Sequence, residues 1–309
     1  MRAVVAITMT VFGLAGMPPA LWTQNAPPST DIYLAPLTTR GAKLVVGRPI
    51  NVTKRHGYDN QPAFTPDSRS MLFTSVREDG QADIYRYDLR NRTTTRVTAT
   101  PESEYSATVY GDGTRFSVVR VERDSTQRLW SFALDGSDPR PVFESIKPVG
   151  YHAWIDSTTA ALFILGNPNT LVVADIRSPI VDTVARDVGR SLVALPNGGG
   201  FSFLERMRDS TWALTAVDVR RTRTGRHLMV LPVARMAAGA EYVAWLTPRQ
   251  AISGVDGKLI LWSRERGPLS WSELTNLARH GVRRISRLAV SPDHRWLAIV
   301  GEPATSSAR

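Results

Sequence analysis

The 309-residue sequence contains no cysteine. Without cysteine, thiol catalysis, thiolate-bound metals, iron–sulfur clusters and acylated lipid anchors are all excluded. Lysine is scarce as well, with four lysines among the 38 basic residues, and arginine supplies the rest of a net charge of +10. The two densest arginine groups, Arg220–Arg226 and Arg283–Arg287, fall in segments that we predict as loops, and neither is interleaved with aromatic residues. We therefore expect no nucleic-acid partner.

The common catalytic signatures are also absent from the sequence. It has no G-x-S-x-G nucleophile turn, no H-E-x-x-H zinc motif and no EF-hand-like calcium loop. No segment beyond the N-terminus keeps an apolar period of 3.6 residues, so the sequence predicts a fold with almost no helix. The apolar residues instead form short runs, rich in β-branched and aromatic types, which turn residues separate.

The first 26 residues have the pattern of a secretory signal peptide. Arg2 gives a positive start, a charge-free apolar run covers Ala3–Gly16, and small residues and prolines follow as far as Ala26. The run is too short to span a membrane, although an uncleaved anchor is the alternative. We expect a periplasmic or secreted protein with no transmembrane segment after signal removal. Its single domain is expected at residues 27–303, and a disordered tail at 304–309.

One phrase is repeated along the chain, and the fold prediction depends on it. Residues Ala63–Asp67 read A-F-T-P-D, and an apolar run, D-I-Y-R-Y-D-L (Asp83–Leu89) and T-R-V-T (Thr95–Thr98) follow. Ala289–Asp293 repeat the first part as A-V-S-P-D, whereas Asp31–Leu37 repeat a later part as D-I-Y-L-A-P-L. The chain thus starts with the second half of the phrase and ends with the first half.

The first apolar strand of this unit can be located six times. Successive anchors lie 45, 44, 40, 50 and 46 residues apart, at Phe64, Val109, Ala153, Val193, Val243 and Ala289. A period of about 40–45 residues is typical of a four-stranded propeller blade. The sequence therefore predicts an all-β, six-bladed β-propeller. A two-sheet sandwich is the alternative, but it does not explain a phrase divided between the two ends of the chain.

The divided phrase also predicts how the ring closes. The last blade takes its first two strands from the C-terminus and its third and fourth strands, Asp31–Leu37 and Arg48–Thr53, from the N-terminus, a 2+2 closure. Because both ends then pair within one sheet, the ring has no free edge. We expect the closed ring to be a monomer.

The repeated residues resemble the TolB-type β-propeller repeat. The matching residues are Phe64-Thr65-Pro66-Asp67, Phe73-Thr74-Ser75, Asp83-Ile84-Tyr85 and Val290-Ser291-Pro292-Asp293. The resemblance covers nearly the whole chain after the signal at the level of the pattern. It implies a fold rather than an activity, because propellers host binding and catalysis alike. Since the first strand follows the signal directly, we expect a stand-alone propeller without the small N-terminal domain of TolB itself.

The polar residues near the channel mouth are the candidate site. In a propeller, the loop from the fourth strand of one blade to the first strand of the next opens beside this mouth. A concave rim of aromatic, cationic and carboxylate side chains there suits a polar ligand or a peptide end. The candidate ligand- or partner-binding residues are Tyr58, Asp59, Asn60, Glu104, Tyr105, Tyr151, His152, Arg190, Glu241, Tyr242, His280 and Arg284.

Two functions from different classes are compatible with such a rim. The favoured one is binding: an exported module or scaffold that holds a protein or peptide of the cell envelope at the channel mouth, with no catalytic residue and no cofactor. The alternative is an enzyme, a sugar-active or metal-dependent lyase or hydrolase, with its site in the same channel. One form of this alternative needs a channel-bound divalent metal, zinc or manganese, held by His152, His280 and either Glu104 or Glu241.

Overall fold

The structure is a computed structural model that describes residues 28–41, 43–223 and 225–303. These residues form 25 β-strands in six antiparallel sheets, together with two 3₁₀ helices of three residues each. The sheets are the blades of a six-bladed β-propeller, which confirms the predicted fold class. Within the described ranges, neither helix has the length or apolar character that crossing a bilayer requires. The predicted signal peptide and tail lie outside these residues.

The strands follow one another blade by blade. The chain begins with β1 (Asp31–Arg40), β2 (Lys43–Val46) and β3 (Ile50–Asn51). Blade 1 contains β4 (Tyr58–Phe64), β5 (Ser70–Val76), β6 (Ala82–Asp88) and β7 (Thr93–Arg96). Blade 2 contains β8 (Ser103–Tyr110), β9 (Arg115–Val121), β10 (Gln127–Ala133) and β11 (Arg140–Pro141). Blade 3 contains β12 (Val149–Trp154), β13 (Thr159–Ile164), β14 (Thr170–Asp175) and β15 (Ser178–Arg186).

The second half of the chain completes the ring. Blade 4 contains β16 (Val188–Ala194), β17 (Gly200–Arg206), β18 (Trp212–Arg221) and β19 (Arg226–Arg235). Blade 5 contains β20 (Val243–Thr247), β21 (Gln250–Val255), β22 (Lys258–Ser263) and β23 (Trp271–Asn276), with 3₁₀ helices at Arg264–Arg266 and Ala278–His280. The last strands are β24 (Val282–Val290) and β25 (Trp296–Pro303). The arginine groups predicted in loops therefore lie partly in strands, since β18 contains Arg220 and β24 contains Arg287.

The hydrophobic core lies between the blades rather than at the centre of the ring. Among the described residues there are six apolar clusters, one at each contact between neighbouring blades. Ile32 and Val300 of the closing blade, for example, pack with Phe73 of blade 1, and all three are fully buried. Full burial of such a side chain stabilises by about 1.5–3 kcal/mol. Each blade thus depends on both of its neighbours, and a gap in the ring would expose two apolar faces.

The closing sheet, blade 6, joins the two ends of the chain. β1 pairs antiparallel with β25, from Asp31 opposite Gly301 to Pro36 opposite Trp296. Its order is β2-β1-β25-β24, and β3 pairs with β1 as a fifth strand. The predicted fourth strand at 48–53 is therefore only partly correct. The third strand runs to Arg40, and its outer half pairs with Lys43–Val46, so that the fourth position is divided between β2 and β3.

The D-I-Y part of the phrase joins the third and fourth strands of blade 1. The side chain of Thr98 accepts a hydrogen bond from the backbone N–H of Ile84 at 2.9 Å and contacts the Asp83 carboxylate at 3.4 Å. Arg96 donates to the other oxygen of Asp83 at 2.5 Å. The aspartate therefore ties down the end of the outer strand, which the short ladder of β6 and β7 would hold weakly on its own.

The same contacts recur at the start of the chain. Thr53 accepts from the backbone N–H of Ile32 at 3.0 Å and contacts the Asp31 carboxylate at 3.4 Å. Asn51 donates to the other oxygen of Asp31 at 2.7 Å, in the place that arginine takes in blade 1. The N-terminal segment thus carries the second half of a blade, as the divided phrase predicts.

The Pro-Asp part of the phrase forms the turn between the first and second strands. Asp67 accepts from the backbone N–H of Arg69 at 3.0 Å, and Asp293 accepts from that of Arg295 at 3.1 Å. An aspartate that satisfies a backbone donor two residues later is a common way to fix a tight turn. These residues fold the chain and lie outside the candidate site.

Candidate functional site

The first strand of every blade faces a central channel. β4, β8, β12, β16, β20 and β24 all contribute to its wall, and the cavity encloses about 590 Å³. All six strands run in the same direction, because each follows the loop from the preceding blade. Residues at the starts of these strands therefore lie at one mouth of the channel, and residues at their ends lie at the other.

Six side chains near the first mouth form a group that we call the Tyr–Arg ring. Each blade contributes one member: Tyr58, Tyr105, Tyr151, Arg190, Tyr242 and Arg287. Burial raises the pKa of Tyr58, and the positive charge of Arg287 opposes this rise, while the phenols of Tyr151, Tyr105 and Tyr242 also influence it. These electrostatic couplings connect blades on all sides of the channel. Sequence reasoning predicts five of the six members.

Arg287 extends across the channel from blade 6. Its guanidinium carbon lies 4.4 Å from the ring centroid of Tyr242 on the neighbouring blade and 5.0 Å from that of Tyr151. Blade 3, which carries Tyr151, stands opposite blade 6 in a ring of six. Both distances are within the range of a cation–π interaction. The two aromatic faces therefore hold the guanidinium over the channel.

The two arginines of the ring lack an acidic partner in the described part of the chain. Neither Arg190 nor Arg287 forms an ion pair or a side-chain hydrogen bond there, although 18 ion pairs occur elsewhere in it. Arg287 is half-buried and Arg190 is exposed, and both line the cavity. Glu241 is exposed next to Tyr242 and influences its pKa, which burial raises. The mouth is thus an aromatic surface with uncompensated positive charge.

Asp59, Asn60 and Glu104 of the predicted site are buried within the blades. Glu104 is fully buried and accepts from Arg120 at 3.1 Å, and burial raises its pKa. Asp59 lies 3.5 Å from Arg55, and burial raises its pKa as well. The Asn60 side chain caps the next backbone N–H in the chain at 2.8 Å. Burial keeps all three side chains from a ligand, although Asp59 Oδ1 and Glu104 Oε2 have no hydrogen-bond partner among the described residues.

The two predicted histidines are in very different surroundings. His152 is buried between blades 2 and 3, where its Nε2 lies 2.7 Å from the hydroxyl of Ser117. Burial lowers the pKa of His152 to about 3, so the imidazole is neutral at physiological pH. His280 is exposed in its 3₁₀ helix, and Arg284 is exposed and pairs with Glu302 at 3.1 Å.

The hypothesised metal site is not formed. Across residues 28–303, apart from the two undescribed positions, no three His, Asp or Glu side chains lie close enough together to hold a metal ion. His152 and His280 therefore do not converge with Glu104 or Glu241. The physical reason is that Glu104 and His152 point into blade interfaces, where Arg120 and Ser117 bind them.

Arg287 is the functional candidate that sequence reasoning missed. It precedes Ala289 by two residues, as Tyr151 precedes Ala153 and Tyr242 precedes Ala244. Alignment on this small residue, instead of on the loop before the strand, would have placed Arg287 at the mouth.

A layer of small side chains lies one step further into the channel. We call it the small-residue collar, and each blade again contributes one member: Ala63, Thr108, Ala153, Val193, Ala244 and Ala289. In every case the residue pairs with the third residue of the following strand, so the six positions are equivalent. Larger side chains here would fill the channel, so the collar is the reason that a cavity exists.

The far end of the channel is mostly apolar and aromatic. Its lining includes Phe64, Trp154, Trp245, Val290 and Pro292, and the polar residues Ser291 and His294 also lie at this end. The channel thus changes from a cationic, hydroxyl-rich mouth to a mostly apolar base within the length of one strand.

Comparison with solved structures supports the fold. A protein described as TolB of Agrobacterium tumefaciens superposes with a TM-score of 0.64 at 16% identity, covering 88% of this chain and 98% of that one. TolB of Acinetobacter baumannii gives 0.56 at 12% identity, with coverages of 88% and 65%. An oligogalacturonate lyase in complex with manganese gives 0.53 at 13% identity, with coverages of 82% and 80%. No family model matches the chain.

The fold and the channel together define the class. The chain is a six-bladed β-propeller whose central channel opens through an aromatic, cationic mouth. Its fold is similar to that of the two TolB structures, as the resemblance of the repeated phrase implies. At such low identities the likeness establishes the fold and no more.

Proposed function

We propose that this chain is an exported binding protein of the cell envelope, whose Tyr–Arg ring holds an acidic segment of a protein or peptide partner. The observation that carries this proposal is the ring itself. Six blades each contribute a tyrosine or an arginine at one mouth, and the two arginines lack an acidic partner among the described residues. A partner carboxylate would supply the missing charge.

The residue types of the ring favour this role. Tyrosine and arginine are enriched among the residues that contribute most to binding at protein interfaces. Arginine binds carboxylates through charge-assisted, often paired hydrogen bonds, which are stronger than neutral ones. Burial raises the pKa of the Tyr58, Tyr105 and Tyr242 phenols, so all three remain neutral hydrogen-bond donors.

The proposed location rests on the sequence and on the fold. Residues 1–26 have a signal-peptide pattern. The TolB proteins are among the structures with the same fold. For the metal-dependent form of the enzyme alternative, no metal-binding cluster in the described ranges gives support. The lyase among the similar structures shares the fold at 13% identity only.

Selection from a random peptide display library tests the proposal. The immobilised protein is expected to enrich peptides that contain Asp, Glu or a free carboxyl terminus, with affinities then measured by calorimetry. Arg190→Ala and Tyr58→Ala should each weaken binding about tenfold or more, since truncation of a central interface residue typically costs 2 kcal/mol or more.

Arg284→Ala is the matched control, because Arg284 is exposed and already paired with Glu302. It should bind like the unmodified protein. Failure to enrich acidic peptides, or equal binding by the Arg190→Ala and Arg284→Ala proteins, would contradict the proposal.

A further inference from the structure

The channel interior has the features of a second binding site, which extends below the rim and shares Tyr151, Tyr242 and Arg287 with the Tyr–Arg ring. Its volume of about 590 Å³ falls in the range of small-molecule pockets, which are about 300–1,000 Å³. Tyr58 and Tyr105 lie outside the cavity wall, whereas Tyr151, Tyr242 and Arg287 belong to it. Arg190 belongs to it as well, so a ligand inside the channel would meet two arginines at the mouth end.

The cationic and the mostly apolar parts of the cavity wall lie at opposite ends of the channel axis. At the mouth end are the Arg287 guanidinium, the two phenols beside it and Arg190. The small-residue collar follows, and the base contains Phe64, Trp154 and Trp245. The distance from Arg287 to Val290 along β24 is about 10 Å, at 3.3–3.4 Å per strand residue. A molecule that matched this profile would have one anionic end and an apolar body of similar length.

The charge at the mouth end selects against a neutral occupant. Arg287 is half-buried and has no acidic partner in the described segments. A neutral apolar molecule in the channel would remove water from the guanidinium without replacing its hydrogen bonds, which is unfavourable. A carboxylate can accept from the guanidinium and from the adjacent hydroxyls of Tyr151 and Tyr242 at the same time.

We propose that the channel binds a small organic acid, with its carboxylate at Arg287 and its apolar body inside the small-residue collar. The collar keeps the channel open for the body, and the two aromatic rings hold Arg287 in position for the carboxylate. This inference goes beyond the proposed partner binding, because it concerns the channel interior and does not require a peptide on the rim.

Calorimetry with three simple probes tests the inference on the full protein. Octanoate, whose extended length is similar to that of the apolar section, is expected to bind at one site per chain. Octanamide has the same body without the charge, and should bind at least about tenfold more weakly, as hydrogen bonds to a charged group are worth about 1.5–3 kcal/mol. Acetate has the charge without the body, and should not bind measurably.

Two substitutions separate the contributions of charge and body. Arg287→Gln should weaken octanoate about tenfold or more and bring it close to octanamide, whereas Arg284→Gln on the exposed surface should change neither. Ala63→Phe keeps the charge but fills the collar, and should abolish octanoate binding. Ala63 is half-buried, so the larger ring can extend into the channel. If Ala63→Phe fails to fold, Ala63→Leu is the second variant.

Several outcomes would overturn the proposed channel site. Equal affinities for octanoate and octanamide, full octanoate binding by the Arg287→Gln protein, or retained binding with a filled collar would each overturn the inference. Absence of octanoate binding would do so too. Tyr58, unlike Arg190, lies outside the cavity wall, so Tyr58→Ala measures the peptide site separately, and a failure there leaves the result for the channel unchanged.

Discussion

Trp154 donates a hydrogen bond from its indole nitrogen to the hydroxyl of Ser117 at 2.8 Å, across the interface between blades 2 and 3. The same hydroxyl lies 2.7 Å from Nε2 of His152. Trp245 makes the corresponding bond to Ser202 at 2.8 Å, between blades 4 and 5. The two pairs occupy equivalent positions. Each tryptophan directly follows the collar residue on the first strand of its blade, and each serine is the third residue on the second strand of the preceding blade. A buried serine thus connects neighbouring blades twice in the ring.

Replacing these serines should destabilise the protein unequally. Ser117→Ala leaves the Trp154 N–H and the His152 nitrogen without a partner, and Ser202→Ala leaves only the Trp245 N–H. A buried polar group without a partner costs about 1–3 kcal/mol. We expect a larger loss of unfolding free energy for Ser117→Ala, measured by urea denaturation. Equal losses would show that His152 gains nothing from Ser117.

Acid should weaken the fold through His152. Burial lowers its pKa from 6.5 to about 3, so between these values the unfolded chain binds a proton that the folded protein does not. This contribution to stability is complete above pH 6.5 and decreases by about 1.4 kcal/mol per pH unit below it. His152→Gln should flatten the pH dependence of the urea midpoint between pH 6.5 and 4. His280→Gln, at an exposed position, should leave the slope unchanged.

The buried pair of Arg120 and Glu104 should be sensitive to loss of the arginine. Arg120→Leu leaves a fully buried carboxylate without its cation, which typically costs about 3–5 kcal/mol. Arg123→Ala is the control, because this exposed arginine lies 3.7 Å from Glu102 and such pairs contribute about 0–1 kcal/mol. Since burial already raises the pKa of Glu104, the deficit of Arg120→Leu should shrink on acidification. A deficit that does not depend on pH would argue against this explanation.

The closing blade gives a test of the ring. Deleting residues 31–53 removes three of its strands and exposes the apolar faces of blades 5 and 1, so the protein should lose its cooperative thermal transition. A circular permutant is the control: a short linker joins Pro303 to Ser29, and new ends are placed in the exposed turn at 207–211. It should fold, because the ends of β1 and β25 are adjacent. A deleted protein that remained folded and monomeric would refute the shared blade.

The architecture of this protein could be predicted from its sequence because the repeat is a local signal. Asp83 and Asp31 make the same contacts with the threonines that follow them, and Asp67 and Asp293 cap the same turn. Residues that fold blade 1 thus recur in blade 6, and the strand anchors between them recur every 40–50 residues.

The site could be predicted only in part, because side-chain direction in the first strands depends on β-bulges. The pairing register shifts between Asn60 and Ala63 and again between Arg283 and Arg287. A shift of one residue moves a side chain to the other face of its sheet. The sequence predicts Glu104 near the mouth, but it does not show that this side chain points into a blade interface or that the side chain of Arg287 points into the channel.

The shared blade has a consequence for the time course of folding. β1 is the first described strand to leave the ribosome, yet its main partner, β25, is among the last. Pairings between distant parts of a chain form slowly, since the intervening loop must be closed first. The apolar faces of blades 5 and 1 therefore stay without their partner in the closing blade until β25 has been synthesised.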